Sequence, residues 1–388
     1  MSRLLNALLL NKKRVAGFYV HIPFCAQKCS YCDFHFSTHF ESHRDDMVHS
    51  IAQEIILRKG ECSSPLLSIY FGGGTPSLLT NNELSFLLKT IYENYLVDDG
   101  AEITLEANPE DVSQKALKGW KRTGINRLSV GLQSFKATDL KWMNRGHSTN
   151  QALECIEHAS AEGFKNISVD LMYGLPNLSV NEWKKHLQKA LHPNITHVSA
   201  YCLTVEKGTK LKRLVEKGRK IIPNDTLIKQ QYELLVSTLK QAGFEQYEVS
   251  SFARDKKYSK HNSAYWKGVS YIGVGPSAHS FQTGYRRWNV ANNQKYIQSI
   301  RDKSSFHEGE HLSKKDVWNE LFLTGLRTTW GVSKENIDAL GGFSKKEKVV
   351  LERHLKSGRM IEKENFLRLE GDGFLFADGI AELFFRLS

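Results

Sequence analysis

His21-Ile22-Pro23-Phe24-Cys25-Ala26-Gln27-Lys28-Cys29-Ser30-Tyr31-Cys32 sets three cysteines in a C-x3-C-x2-C spacing. Phe18-Tyr19-Val20-His21-Ile22 reads as a strand, so the cysteines lie on the loop that leaves its C-terminal end. Thiolates are soft ligands that suit zinc or an iron–sulfur cluster. Zinc would take a fourth ligand, and His21 and His35 are candidates. Three thiolates also hold three irons of a four-iron cube and leave one iron open to a chelating molecule. That asymmetry favours a [4Fe-4S] cluster on Cys25, Cys29 and Cys32.

Outward from this loop the chain alternates short apolar strands with amphipathic helices. Further strands are expected at 67–71, 102–106, 127–131, 168–172 and 197–203, and helices at 41–59, 137–142, 150–162 and 180–191. A helix capped by Thr80 or Asn82 follows Gly72-Gly73-Gly74, and another begins near Asp111. Six β-then-α units call for a parallel sheet with right-handed crossovers, and helices on one side make it a closed or partly closed barrel. Chemistry in such barrels sits at the C-terminal strand ends. The cysteines follow strand one, the glycines strand two and Gln133 strand four, while Glu106 ends strand three and Asp170 lies late in strand five. The fold class is thus α/β, a partial (β/α)6 barrel. Past 205 come a Lys-rich connection (207–220), a long helix (225–242), an irregular aromatic stretch, and a helical module with a hairpin at 360–369 and a last helix at 377–385. The expected division is an N-terminal extension (1–15), the barrel (16–245), a connecting region (246–310) and a C-terminal helical domain (311–388).

The 388 residues are 40% hydrophobic and 24% charged, a soluble globular composition. A net charge of +11 implies attraction to anions. Lys and Arg are spread along the chain rather than run together, so nucleic acid is not the expected partner. Cys62, Cys155 and Cys202 are scattered, which reads as reduced cytoplasmic thiols rather than a disulfide framework. The apolar run from Leu4 to Leu10 lacks a small-residue cleavage site and is too short to span a bilayer. It reads as a short amphipathic extension, with a membrane-surface anchor as the alternative.

The C-x3-C-x2-C loop after a strand is the signature of the radical S-adenosylmethionine (SAM) superfamily. From His21 to His279 the chain resembles the oxygen-independent coproporphyrinogen III oxidase group, which includes the HemN enzymes and the HemW heme chaperones. The resemblance rests on Tyr19–Cys25, Gly72–Pro76, Glu106-Ala107-Asn108-Pro109-Glu110, Arg127–Ser134, Asn144-Arg145-Gly146-His147 and Asp170–Pro176. It implies SAM contacts at Tyr19, Gly73, Gly74, Thr75, Glu106, Gln133, Arg145 and Asp170, with Tyr31 and Cys202 adjacent. The open iron would chelate SAM and pass one electron into its C–S bond.

Two departures separate this chain from the oxidases. They carry a further cysteine two residues after the third, where this chain has Phe34, and they have a long N-terminal extension, where about fifteen residues precede the first strand here. His261-Asn262-Ser263-Ala264-Tyr265-Trp266 resembles the H-N-x-x-Y-W motif of HemW proteins. The resemblance implies heme binding at His261, with Tyr265 and Trp266 packing on the porphyrin and Lys260 and Lys267 facing its propionates. His279, in the glycine-rich turn 271–280, is a second ligand candidate. The end of the chain from Glu320 resembles the group's winged-helix-like domain. The implied function is a cytoplasmic heme chaperone that binds heme, the cluster and SAM and delivers heme to respiratory-chain hemoproteins. The rival is the decarboxylase of coproporphyrinogen III, and a third option is a radical SAM enzyme on another substrate. Catalysis, peripheral membrane contact and homodimerisation are left open.

Overall fold

The computed structural model of the chain describes residues 15–218, 223–282 and 284–387. The extension at 1–14 lies outside them. Strands β1 (Val15–Ile22), β2 (Leu66–Gly73), β3 (Val97–Ala107), β4 (Arg127–Gln133), β5 (Ile167–Tyr173) and β6 (His197–Cys202) run parallel in consecutive order. Helices α1 (Arg44–Leu57), α2 (Asn81–Asn94), α3 (Gln114–Thr123), α4 (Ala137–Met143), α5 (Thr149–Ala161) and α6 (Val180–Ala190) fill the connections.

Local chemistry sets the helix starts. The Thr80 hydroxyl accepts from the Glu83 backbone and the Glu83 side chain returns to the Thr80 backbone, a capping box that opens α2. The helix expected from Asp111 begins later. Pro109–Asp111 forms a single 3-10 turn, and the true cap is Ser113, which accepts from Ala116. Likewise 41–59 divides into a 3-10 turn at Glu41–His43 and α1.

The pleat separates the two faces of the sheet. Phe18, Val20, Ile69, Phe71, Leu105, Leu128, Val130, Val169 and Val198 are buried toward the helices and form the core. The alternate residues Tyr19, Ser68, Tyr70, Glu102, Thr104, Arg127, Ser129, Ser168, Asp170 and Ser199 form the other face. A parallel strand buried on both faces is normally apolar throughout, so this polar face marks the barrel interior as the place of chemistry.

The connecting region is far more regular than its sequence implies. β7 (Glu245–Gln246) and β8 (Ser251–Ala253) close one edge against β6. β9 (Ser270–Val274) pairs parallel with β1, and β10 (His279–Gln282), β11 (Tyr285–Asn289) and β12 (His307–His311) continue antiparallel, giving twelve strands. Short strands broken by turns carry little periodicity, so only long-range pairing reveals them. The Lys-rich connection also holds a helix, α7 (Lys210–Glu216), ahead of α8 (Asp225–Gln241). Then come α9 (Lys260–Trp266), which packs inside the sheet, and α10 (Asn293–Arg301). The C-terminal module contains α11 (Lys314–Gly325), α12 (Lys334–Ala339), α13 (Lys345–Lys356) and α14 (Ala377–Glu382). A three-stranded sheet, ordered β13 (Val332–Ser333), β15 (Phe366–Leu369), β14 (Met360–Lys363), completes it.

One buried carboxylate ties the added strands to the barrel. Glu54 on α1 is fully buried and accepts from Arg58 at 3.2 Å, the Gly275 amide at 2.8 Å, the Asn289 amide at 2.8 Å and the Tyr296 hydroxyl at 2.6 Å. Removing Glu54 leaves Arg58, among the described residues, with Glu61 alone as carboxylate partner and takes the carboxylate acceptor from the buried Gly275, Asn289 and Tyr296 donors. Glu54→Ala should therefore lose about 3 kcal/mol of stability in urea denaturation, and a change too small to measure would show that the network does not hold the strands in place.

Candidate functional site

The loop after β1 is pinned from several directions. Cys25 N–H donates to Ser37 O at 3.1 Å, Ser30 N–H to Met143 O at 3.0 Å and Leu211 N–H to Ser30 O at 2.7 Å. Asn144, in the left-handed conformation that ends α4, donates its side-chain amide to Lys28 O at 2.8 Å, while its carbonyl accepts from Gln27 at 3.0 Å. The Asn144–His147 motif thus braces the cysteine loop.

Cys25, Cys29 and Cys32 face a cavity of about 430 Å³ at the C-terminal ends of the parallel strands. Thr75 donates to Cys25 Sγ at 3.4 Å and Arg145 to Cys29 Sγ at 3.5 Å. Burial pushes the Cys25 thiol up to about 11 and Cys32 to about 12, so thiolate here needs a compensating cation. Among the described residues no three His, Cys, Asp or Glu side chains are grouped to hold a metal ion. The two histidines proposed as a fourth zinc ligand are engaged elsewhere: His21 bonds the Tyr19 hydroxyl and the His35 carbonyl, and His35 bonds Asn293. Three closely spaced soft donors on one loop, facing an open volume, fit a cluster held at three corners.

Gly73, Gly74, Tyr31, Gln133 and Cys202 line the same cavity, together with Glu106, Arg145 and Asp170. Gly73 has φ +108°, and a Cβ on Gly74 would sit 2.5 Å from Phe24 O, so backbone alone fits there. Glu106 accepts from the Tyr70 hydroxyl at 2.7 Å and the Gly73 amide at 3.2 Å. Burial lifts its carboxyl to about 7, and Asp170 to about 6 for the same reason. Arg145 donates to Asn108 at 2.7 Å and Gly131 O at 2.8 Å. Burial alone would weaken its charge, but Tyr31, Cys29 and Glu110 outweigh that and hold the guanidinium protonated. Cationic and anionic groups thus line one volume, an arrangement suited to a zwitterionic ligand that also carries a positive centre.

Tyr19 is not on the cavity wall. It sits behind Gly72, where a Cβ would lie 3.0 Å from its ring. Sequence reasoning passed over Asn108, Ser129 and Tyr201, which do line the cavity. The period-two polarity of β3 to β6 is the signal that would have found Ser129 and Tyr201.

His261 differs most from expectation. It is 1% exposed, with Nδ1 bonded to the Ser68 hydroxyl at 2.9 Å and Nε2 to the Tyr265 hydroxyl at 2.6 Å. Burial lowers its basicity to about 3. It reaches neither cavity wall, because α9 lies inside the sheet. The next residues of its motif do reach a second cavity, of about 540 Å³, between α9 and the C-terminal module. Tyr265, Trp266, Tyr271, Phe281, Leu321 and Trp330 form much of its wall. Lys267 also lines it, 3.9 Å over the Trp330 ring. Lys260 turns away and donates to Gly100 O at 2.8 Å. His279 lies beside Trp288, outside both cavities.

Residues 19–190 match the radical SAM superfamily. A heme chaperone HemW from Bacillus subtilis is 36% identical, covering 82% of this chain and 84% of its own length. HemW from Haemophilus influenzae is 32% identical over 95% of this chain and 97% of its own. The chain belongs to the HemW family of the radical SAM superfamily. Danio rerio radical S-adenosyl methionine domain-containing protein 1, a mitochondrial relative, is 33% identical over 94% of this chain and 86% of its own. The coproporphyrinogen III oxidase HemN from Escherichia coli superposes with a TM-score of 0.83 at 21% identity, over 99% of this chain and 93% of that one. That likeness shows the shared fold, the extended sheet and C-terminal module included. No helix among the described residues is long and apolar enough to cross a membrane.

The glycine contact is directly testable. In Gly74→Ala the new methyl collides with the Phe24 and Ile22 carbonyls, which are backbone and cannot step aside. Anaerobic reconstitution should then load only a small fraction of wild-type iron while circular dichroism stays unchanged; full loading would show that the loop tolerates the shift.

Proposed function

We propose that this HemW-family chain is a heme chaperone with two separate ligand sites. Its first cavity takes a [4Fe-4S] cluster on Cys25, Cys29 and Cys32, with SAM against the open iron. When bound, that pair supplies one-electron chemistry at the sulfonium. The chain's own residues orient the cofactor. Glu106 and the Gly73–Thr75 backbone offer partners for an ammonium group, Arg145 for a carboxylate, and Asp170 for a ribose hydroxyl.

The observation that carries the heme reading is the second cavity. It is large, walled by aromatic rings and joined to the motif histidine through Tyr265. Ligand sites are typically apolar concavities with a few placed polar groups, and Lys267 at the wall suits a propionate. With both ring nitrogens engaged, His261 acts on this site by orienting Tyr265. The relatives named heme chaperones support the handing on of heme, and respiratory-chain hemoproteins are the acceptors this reading assigns. The scatter of Cys62, Cys155 and Cys202, unlike the dense pattern of a disulfide framework, supports a reducing compartment such as the cytoplasm. The net charge of +11 suits transient docking on an anionic membrane surface.

Leu321 is the residue to probe, since a bulkier ring there fills the second cavity without touching the first. Leu321→Trp should weaken hemin binding by tenfold or more, read by absorbance titration, and keep its iron–sulfide spectrum. Unchanged hemin affinity would remove heme from this cavity. Robust protoporphyrinogen formation by the wild-type protein would replace the chaperone with the decarboxylase.

A further inference from the structure

Arg127 opens the Arg127–Ser134 motif, yet it lines neither cavity. It is 1% exposed and pairs with Thr104 across β3 and β4. Two residues further along β4, Ser129 stands on the wall of the cysteine cavity and donates to Asp170 at 3.4 Å. The guanidinium therefore lies one pleat step beneath the cavity floor.

Its charge is not spent on a close partner. Nε and Nη1 have no hydrogen-bond acceptor, and the nearest carboxylate oxygen, on Glu102, is 3.9 Å from Nε. Glu102 is itself engaged by the Lys260 and His261 amides at 2.9 and 3.3 Å. The other groups facing Arg127 are Tyr70 from β2, Asp170 from β5, His197 from β6, Tyr247 ahead of β8 and His261 from α9. Burial, followed by the charge of Arg127, holds both histidines neutral. A buried cation without a tight partner exerts its field on whatever anions stand nearby, and in a low-dielectric interior that field reaches several ångströms.

We propose that Arg127 is a positioning residue for the cysteine cavity, a buried cation beneath its floor that prepares Glu106 and Asp170, through Tyr70 and Ser129, to receive a cationic ligand. The ligand class rests on the SAM reading given above. The effect of the charge does not. Burial raises both carboxyls, to about 7 and about 6, while Arg127 pulls both downward. Without it they rise further, so that at neutral pH Glu106 meets the ammonium mostly as a neutral acid and Asp170 is partly protonated where it accepts from the ribose hydroxyl. Raising the pH restores the anions.

The test compares the wild type with Arg127→Met, Arg127→Gln and Arg127→Lys in the full chain after anaerobic reconstitution. Carboxyl titrations are followed by carbon-13 NMR, with Glu106→Gln and Asp170→Asn as assignments. SAM binding is measured by equilibrium dialysis between pH 6 and 9. The neutral variants should move both carboxyl midpoints up by about one unit or more. Their SAM affinity should drop about tenfold at pH 7, as a one-unit shift implies, and recover toward pH 9, while Arg127→Lys tracks the wild type. Unmoved midpoints in whichever neutral variant folds would overturn the assignment. So would an affinity loss equal at every pH and not rescued by lysine. Shifted midpoints in a protein that never binds SAM would instead retire the cofactor reading and leave the role of Arg127 standing.

Discussion

The pleat of six parallel strands is the constraint on which this molecule depends. Because side chains alternate across a strand, the sheet buries Val, Leu, Ile and Phe beneath its helices and points Ser, Thr, Tyr, Arg, Asp and Glu into the barrel. The apolar face supplies the driving force for folding. The polar face would be a liability in any ordinary core, since each buried polar group must find a partner or cost free energy. Here many of those groups satisfy one another, as in Tyr70 to Glu106 and Ser68 to His261, or turn toward the cavity, while Thr104 Oγ1 and two nitrogens of Arg127 do neither.

The cysteine loop is held on that frame without belonging to it. Its backbone is tied to the end of α4, the start of α7 and the residues around Ser37. Nothing in the loop is regular secondary structure, yet its position is over-determined. Ligands already held in place lose little conformational freedom when a metal binds. The Asn144–His147 motif serves both the loop, through Asn144, and the cavity, through Arg145.

Helix α9 gives the fold its second function-bearing surface. Its first residues, through the Lys260 and His261 amides, seal against Glu102 inside the sheet. Its last residues face the C-terminal module, where Arg327 lies 5.2 Å over Trp266. Only the second cavity has α9 in its wall; the cysteine cavity is lined by residues between 25 and 206. The histidine of the H-N-x-x-Y-W motif lies between them, with its ring stacked 5.0 Å from Tyr70 on one side and bonded to Tyr265 on the other.

The sequence by itself determined what depends on local pattern. The six β-then-α units, the cysteine spacing and the placing of Glu106, Gln133 and Asp170 at strand ends all follow from periodicity and from residue type. Tertiary structure alone decided what depends on distant pairing. Strands β9 to β12 are short and turn-bounded, so their membership of the main sheet exists only through their partners. His261 looked like a free ligand because a sequence shows a side chain but not the Ser68 and Tyr265 hydroxyls that occupy it. The second cavity is likewise absent from any single stretch, since its walls come from α9, β9 to β11 and the C-terminal module together.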